Sequence, residues 1–104
     1  MAYNVRITEK AEGDLEEIIA YISDTLCNPK AAANLLEEFL KGKDDIVENP
    51  YLYPLSTDPI LQAEGYHRFL FKKNYIALYL IDDCEKTVSI MRIFYAKRDY
   101  GNLI

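Results

Sequence analysis

The join "CNPKAA" (27–32) constrains this chain more than any other stretch. Before it, Ala11, Leu15, Ile18, Ile19, Ile22 and Leu26 recur at helical spacing. After it, Leu35, Leu36, Phe39, Leu40, Ile46 and Val47 continue the same period. Asn28 can cap a new helix, and Pro29 suits the first helical position, where its missing N–H costs nothing. Two amphipathic helices, 9–26 and 29 to about 48, joined this tightly must run antiparallel. Thr8 is a good N-cap for the first, with Glu9, Glu12 and Asp14 in its early turns, where carboxylates favour the positive helix end. Gly42, between Lys41 and Lys43, lowers the second helix's stability by about 1 kcal/mol relative to Ala, so a kink is expected there.

On either side of the helices the period is two. Tyr3, Val5 and Ile7 alternate with polar neighbours as a short strand at 3–8. Three further strands follow, 66–73, 75–82 and 87–95, with joins short enough for antiparallel hairpins. Between helix and strand, "NPYLYPLSTDPILQAEG" (49–65) has three prolines and no period. It is expected to be a loop pinned to the core by Tyr51, Leu52, Tyr53 and Leu55. The expected fold is a single α+β domain over residues 1–104: an N-terminal strand, an antiparallel helical hairpin and a three-stranded antiparallel meander, with the helices on one face of one sheet.

Which side chains the helices cover depends on register. Taking Lys73–Asn74 as a two-residue turn pairs Lys72 with Tyr75. His67, Phe69, Phe71, Ile76, Leu78, Leu80, Ser89, Met91, Ile93 and Tyr95 then share one face, expected beneath the helices. Tyr66, Arg68, Leu70, Lys72, Tyr75, Ala77, Tyr79, Ile81, Val88, Ile90, Arg92 and Phe94 share the other, expected to be open.

The formal net charge of −5 hides a strong asymmetry. Residues 1–65 carry five Lys/Arg against thirteen Asp/Glu, a net of −8, whereas residues 66–104 carry seven against four, a net of +3. Two surfaces with different partners are expected, the basic one on the open side of the sheet with Lys97, Arg98 and Tyr100 just past it. No apolar run approaches the roughly 20 residues of a membrane span, so no membrane partner is expected. The start "MAYNVRITEK" has no apolar signal region, so a cytoplasmic protein is expected. Cys27 and Cys84 match no metal spacing and read as free thiols. No cofactor is expected.

In order and spacing, "YNVRITEKAEGDLEEIIAYI", "NPKAAANLLEEF", "GYHRFLFKKNYIALYLID" and "TVSIMRIFYAKRD" resemble the RelE/ParE superfamily of toxins from type II toxin–antitoxin modules, over almost the whole chain. The resemblance implies a cognate antitoxin partner and one of several activities. One branch enters the ribosome and cuts mRNA without a metal, the 2′-hydroxyl attacking the adjacent phosphate while the protein assists proton transfer and neutralises growing charge. The other poisons DNA gyrase by binding. Cleavage of mRNA on the ribosome is the expected activity, with gyrase poisoning or a degenerate toxin that only binds its antitoxin as alternatives. The resemblance marks Arg68, Arg92, Arg98 and Tyr100 as candidate catalytic residues, since an arginine fork suits a phosphate. Lys72, Tyr75, Tyr79 and Lys97 are candidate RNA- or antitoxin-binding residues. His67 and Tyr95 are expected to pack rather than react.

Overall fold

A computed structural model describes residues 3–96. Strand β1 (Asn4–Ile7) leads into helix α1 (Glu9–Ala20), which widens into a π-helical turn at Tyr21–Thr25. Helix α2 (Pro29–Glu48) returns antiparallel, a 3₁₀ turn (Pro50–Leu52) and short helix α3 (Pro59–Ala63) follow, and β2 (His67–Phe71), β3 (Tyr75–Asp82) and β4 (Thr87–Tyr95) complete the sheet. The caps expected from the sequence form: the Thr8 and Asn28 side chains accept from Ala11 N–H and Ala31 N–H, at 3.2 and 3.1 Å.

The sheet order is β1-β4-β3-β2, with the meander antiparallel and β1 parallel to β4. β1 is short, pairing from Asn4 opposite Thr87 to Ile7 opposite Ile90. Beyond that point β4 runs on for five residues, with no further strand beside it among the described residues.

The register corrects the expected faces. Phe71, not Lys72, lies opposite Tyr75, because Lys72, Lys73 and Asn74 form a three-residue loop with both lysines at positive φ (52° and 66°). Left-handed backbone at two non-glycine residues is uncommon, and nothing in the sequence marks it. The one-residue shift turns β3 over. Ala77 and Tyr79 therefore lie in the main core with the helices, joined by Val88 and Ile90 and flanked by Tyr75 and Ile81. Ile76 and Leu78 are buried on the opposite face with Tyr66 and Phe94, and Leu80 and Met91 pack beside them. A β-bulge between the Tyr79–Ile90 and Leu78–Arg92 pairs then resets the parity of β4, so Ile93 returns to the helices and Phe94 to the other face, as expected from sequence.

That opposite face is not fully open. The α3 part of residues 49–65 folds over some of it, and the anchors of this segment differ in part from those expected: Tyr53 packs on the main core against Phe69, as expected, but Tyr51, Leu52 and Leu55 are exposed, while Pro50, Ser56 and Leu61 are buried. Asp58 caps α3 by accepting from Ile60 and Leu61 N–H, and Gly65 ends it at φ 89°, where a side chain would be strained. Leu61 thereby reaches a second, smaller core with Tyr66, Ile76, Leu78 and Phe94.

Gly42 marks close packing. A Cβ there would overlap the ring of Phe69, so α2 sits nearer β2 than any larger residue allows. Phe39, Phe69, Phe71 and Tyr75 form a chain of aromatic contacts behind it, with neighbouring ring centroids 5.2–6.4 Å apart.

Candidate functional site

Arg68 and Arg92 do come together. Each lies opposite Leu78, one on β2 and one on β4, so the pair brackets that buried leucine in a single row across the sheet. Neighbouring strands are about 4.8 Å apart, which puts the two backbones roughly 10 Å from each other. The Nε of Arg68 is buried and has no hydrogen-bond partner among the described residues, while its backbone N–H donates to Pro54 O at 2.9 Å.

Arg92 is engaged from the other side. Its Nε donates to Asp14 Oδ2 at 2.7 Å and its Nη2 to Oδ1 at 3.2 Å. The same Oδ2 accepts the backbone N–H of Ile93 at 3.0 Å. Asp14 can reach because β1 has already ended, leaving this part of the β4 edge facing α1. The hydrogen bond to Asp14 holds the Arg92 guanidinium's pKa above its ordinary value, with desolvation opposing. A guanidinium bonded this way is largely satisfied before any phosphate arrives.

The remaining described candidates scatter. Lys72 turns toward α2, its Nζ 3.5 Å from Glu38. Tyr75 is half-buried against the main core, and burial, with Tyr95 and Tyr21 nearby, pushes its phenol up. Tyr79 is fully buried beneath the helices; its hydroxyl donates to Pro50 O at 2.7 Å, and burial raises its pKa strongly. Neither tyrosine occupies the open face on which it was expected. Lys97, Arg98 and Tyr100 lie outside the described residues. His67 packs, as expected: its ring stacks on Tyr79 at 5.3 Å, and Nδ1 sits 2.8 Å from Tyr53 O, where a carbonyl requires it to donate.

Two groupings carry no local signal in the sequence. Asp14 suits the helix's positive end, but it also falls between Ala11 and Ile18 on the helix's apolar stripe, where a carboxylate needs a partner. Asp83 accepts from the hydroxyls of Tyr3 (2.7 Å) and Tyr51 (2.5 Å), tying the β3–β4 turn to the chain start and the α2 exit. Those bonds lower the Asp83 pKa and push Tyr51 up to about 12. This cluster is a clasp at the protein surface with no catalytic geometry. Among the described residues no group of His, Cys, Asp and Glu could hold a metal ion, and no helix is long and apolar enough to cross a membrane.

The helical hairpin and four-stranded mixed sheet have the fold of the RelE/ParE toxin superfamily. The family described as "ParE toxin of type II toxin-antitoxin system, parDE" matches residues 5–100, and the chain belongs to it. The structure is similar to that of the chromosomal ParDE toxin–antitoxin system from P. aeruginosa, at 19% identity and a TM-score of 0.71, covering 92% of this chain and 98% of that one. It also resembles the RelBE2 complex from Mycobacterium tuberculosis, with 28% identity, a TM-score of 0.59 and coverage of 91% and 99%. A double-mutant E. coli RelE toxin in the free state matches at 17% identity and a TM-score of 0.66, covering 99% of this chain and 93% of that one. No curated protein matches the sequence significantly.

Proposed function

We propose that this toxin acts by binding its target rather than by cutting RNA, poisoning DNA gyrase when its cognate antitoxin is absent. The observation that carries this reading is the bidentate hold of Asp14 on Arg92. Cleavage of RNA needs a cation free to meet developing phosphate charge and a base able to take a proton near neutral pH. Here Arg92 is already matched by a carboxylate, and burial raises the phenol pKa values of Tyr75 and Tyr79, the opposite of what a base requires. Poisoning by binding needs neither group.

Ribosome-dependent mRNA cleavage is the second reading, and the row Arg68–Leu78–Arg92 favours it. Two assays on one purified sample separate the two. Gyrase poisoning gives blocked supercoiling and DNA cleaved within the topoisomerase complex, with transcripts intact on translating ribosomes. Transcripts cut within codons, with supercoiling unaffected, would overturn the binding reading.

A further inference from the structure

Residues 57–65 leave the sheet and return to it through one narrow base. Ser56 N–H donates to Tyr66 O at 2.8 Å, and Arg68 N–H donates to Pro54 O at 2.9 Å. A compact excursion of roughly 6–16 residues whose ends lie close together is an Ω-loop, a kind of segment that is frequently functional. Its two ends differ. Ser56 is buried and its Oγ accepts Asp58 N–H at 3.2 Å, which fixes the base, whereas Gly65 at φ 89° turns the chain back.

Of residues 57–65 only Leu61 is buried, at 1% exposure, while Ile60 beside it is 70% exposed. The helix within the loop is internally tied: the Asp58 carboxylate accepts from Ile60 and Leu61 N–H, and Asp58 O accepts from Gln62 N–H. Leu61, with the bond from Tyr66 N–H to its carbonyl at 3.0 Å, holds the segment down. The socket it fills is the second core, Tyr66, Ile76, Leu78 and Phe94. Arg68 lies opposite Leu78, and its buried Nε has no partner among the described residues. An apolar socket beside a guanidinium complements an apolar side chain next to a carboxylate.

We propose that residues 57–64 are an autoinhibitory lid, with Leu61 occupying a socket that the target fills with an apolar side chain of its own. A carboxylate beside that side chain then meets Arg68. The proposal rests on the reading that the toxin acts by binding a protein target. While the lid is closed, apparent affinity is reduced in proportion to the fraction of molecules that are open.

The test uses the full chain with purified gyrase and plasmid DNA as probe. In the free toxin, the amides of Gln62, Gly65 and Tyr66 should share one protection factor, at least about 100-fold below that of the β3 amides. Leu61→Ala should speed their exchange by about 30-fold or more, and Asp58→Ala, which removes only the cap, by about fivefold. Both variants should block supercoiling at a concentration at least about fivefold lower than the parent requires. Asp58→Ala leaves Leu61 in place and decides the matter if the Leu61 variant fails to fold. Lid and β3 amides that exchange together overturn the lid. Supercoiling blocked by the parent, with no gain in potency in Asp58→Ala, overturns the gate and leaves the binding reading standing. A parent chain that cuts transcripts and spares supercoiling overturns that reading and the protein-filled socket with it.

Discussion

Asp14 holds Arg92 through both carboxylate oxygens and takes the N–H of Ile93 as well, so one side chain joins α1 to the second half of β4. Both side chains are under a quarter exposed. Removing Asp14 leaves the Arg92 charge poorly solvated and takes away the acceptor of Ile93 N–H. Asp14→Ala should therefore cost about 2–4 kcal/mol, near the range for a broken buried pair. Asp14→Asn keeps an acceptor for Ile93 N–H and should cost clearly less. Denaturant midpoints measure both. Equal losses would mean that the charge on Asp14 contributes nothing.

The packing of α2 on β2 gives a second prediction. Gly42→Ala gains roughly 1 kcal/mol of helix propensity but drives a methyl group into the Phe69 ring. Overpacking a close interface costs about 1–3 kcal/mol, so the variant should be less stable than the parent. Adding Phe69→Leu, which makes room, should recover part of the loss. The double mutant would then be more stable than the two single effects predict. Additive losses would show that helix and ring do not meet.

Alkaline pH tests the buried phenol. The native state holds the Tyr79 proton more tightly than the unfolded chain, whose tyrosine has the ordinary value of 10.0. The stabilisation is complete below that value and is lost as pH rises through it toward the folded value. Stability should fall above pH 10 by up to about 1.4 kcal/mol per pH unit for this one proton. Tyr79→Phe should flatten that slope while costing about 1–2 kcal/mol at pH 7, because Pro50 O loses its donor. A slope unchanged by the substitution would assign the alkaline loss to other groups.

How much of this could be read from the sequence depended on whether the signal was local. Thr8, Asn28 and Pro29 act within one helical turn, so both helix starts fell where their capping chemistry put them. The faces of β3 depended on one loop, and two lysines in left-handed backbone look like any polar hairpin tip. The bulge beside Met91 then undid the error for Arg92 and Phe94, so the row with Arg68 was right for a reason the sequence did not hold. Helix α3 repeats the cap-then-proline signal of α2 in Asp58–Pro59, but five residues are too few to show a period. Asp14 was visible as a carboxylate on an apolar stripe; its partner, 78 residues away, was not.

Arg68 separates stability from function most cleanly. Its backbone N–H is held by Pro54 O whatever the side chain, and its buried Nε has no partner among the described residues. A buried polar atom left unsatisfied costs stability, so a proteins' retention of one needs another reason. Arg68→Met keeps the length and packing of the stem over Leu78 and removes that atom. The fold should be as stable or more so, since apolar replacements of similar volume at such sites are often neutral or stabilising by about 1–4 kcal/mol. If Arg68 contacts the cellular target, growth inhibition on expression without antitoxin should fall sharply while Tm holds. Arg68→Lys should restore it only in part, because an ammonium cannot reproduce the guanidinium fork. Full toxicity in the Met variant would rule out a target contact at Arg68, and a matching fall in Tm would make the residue structural.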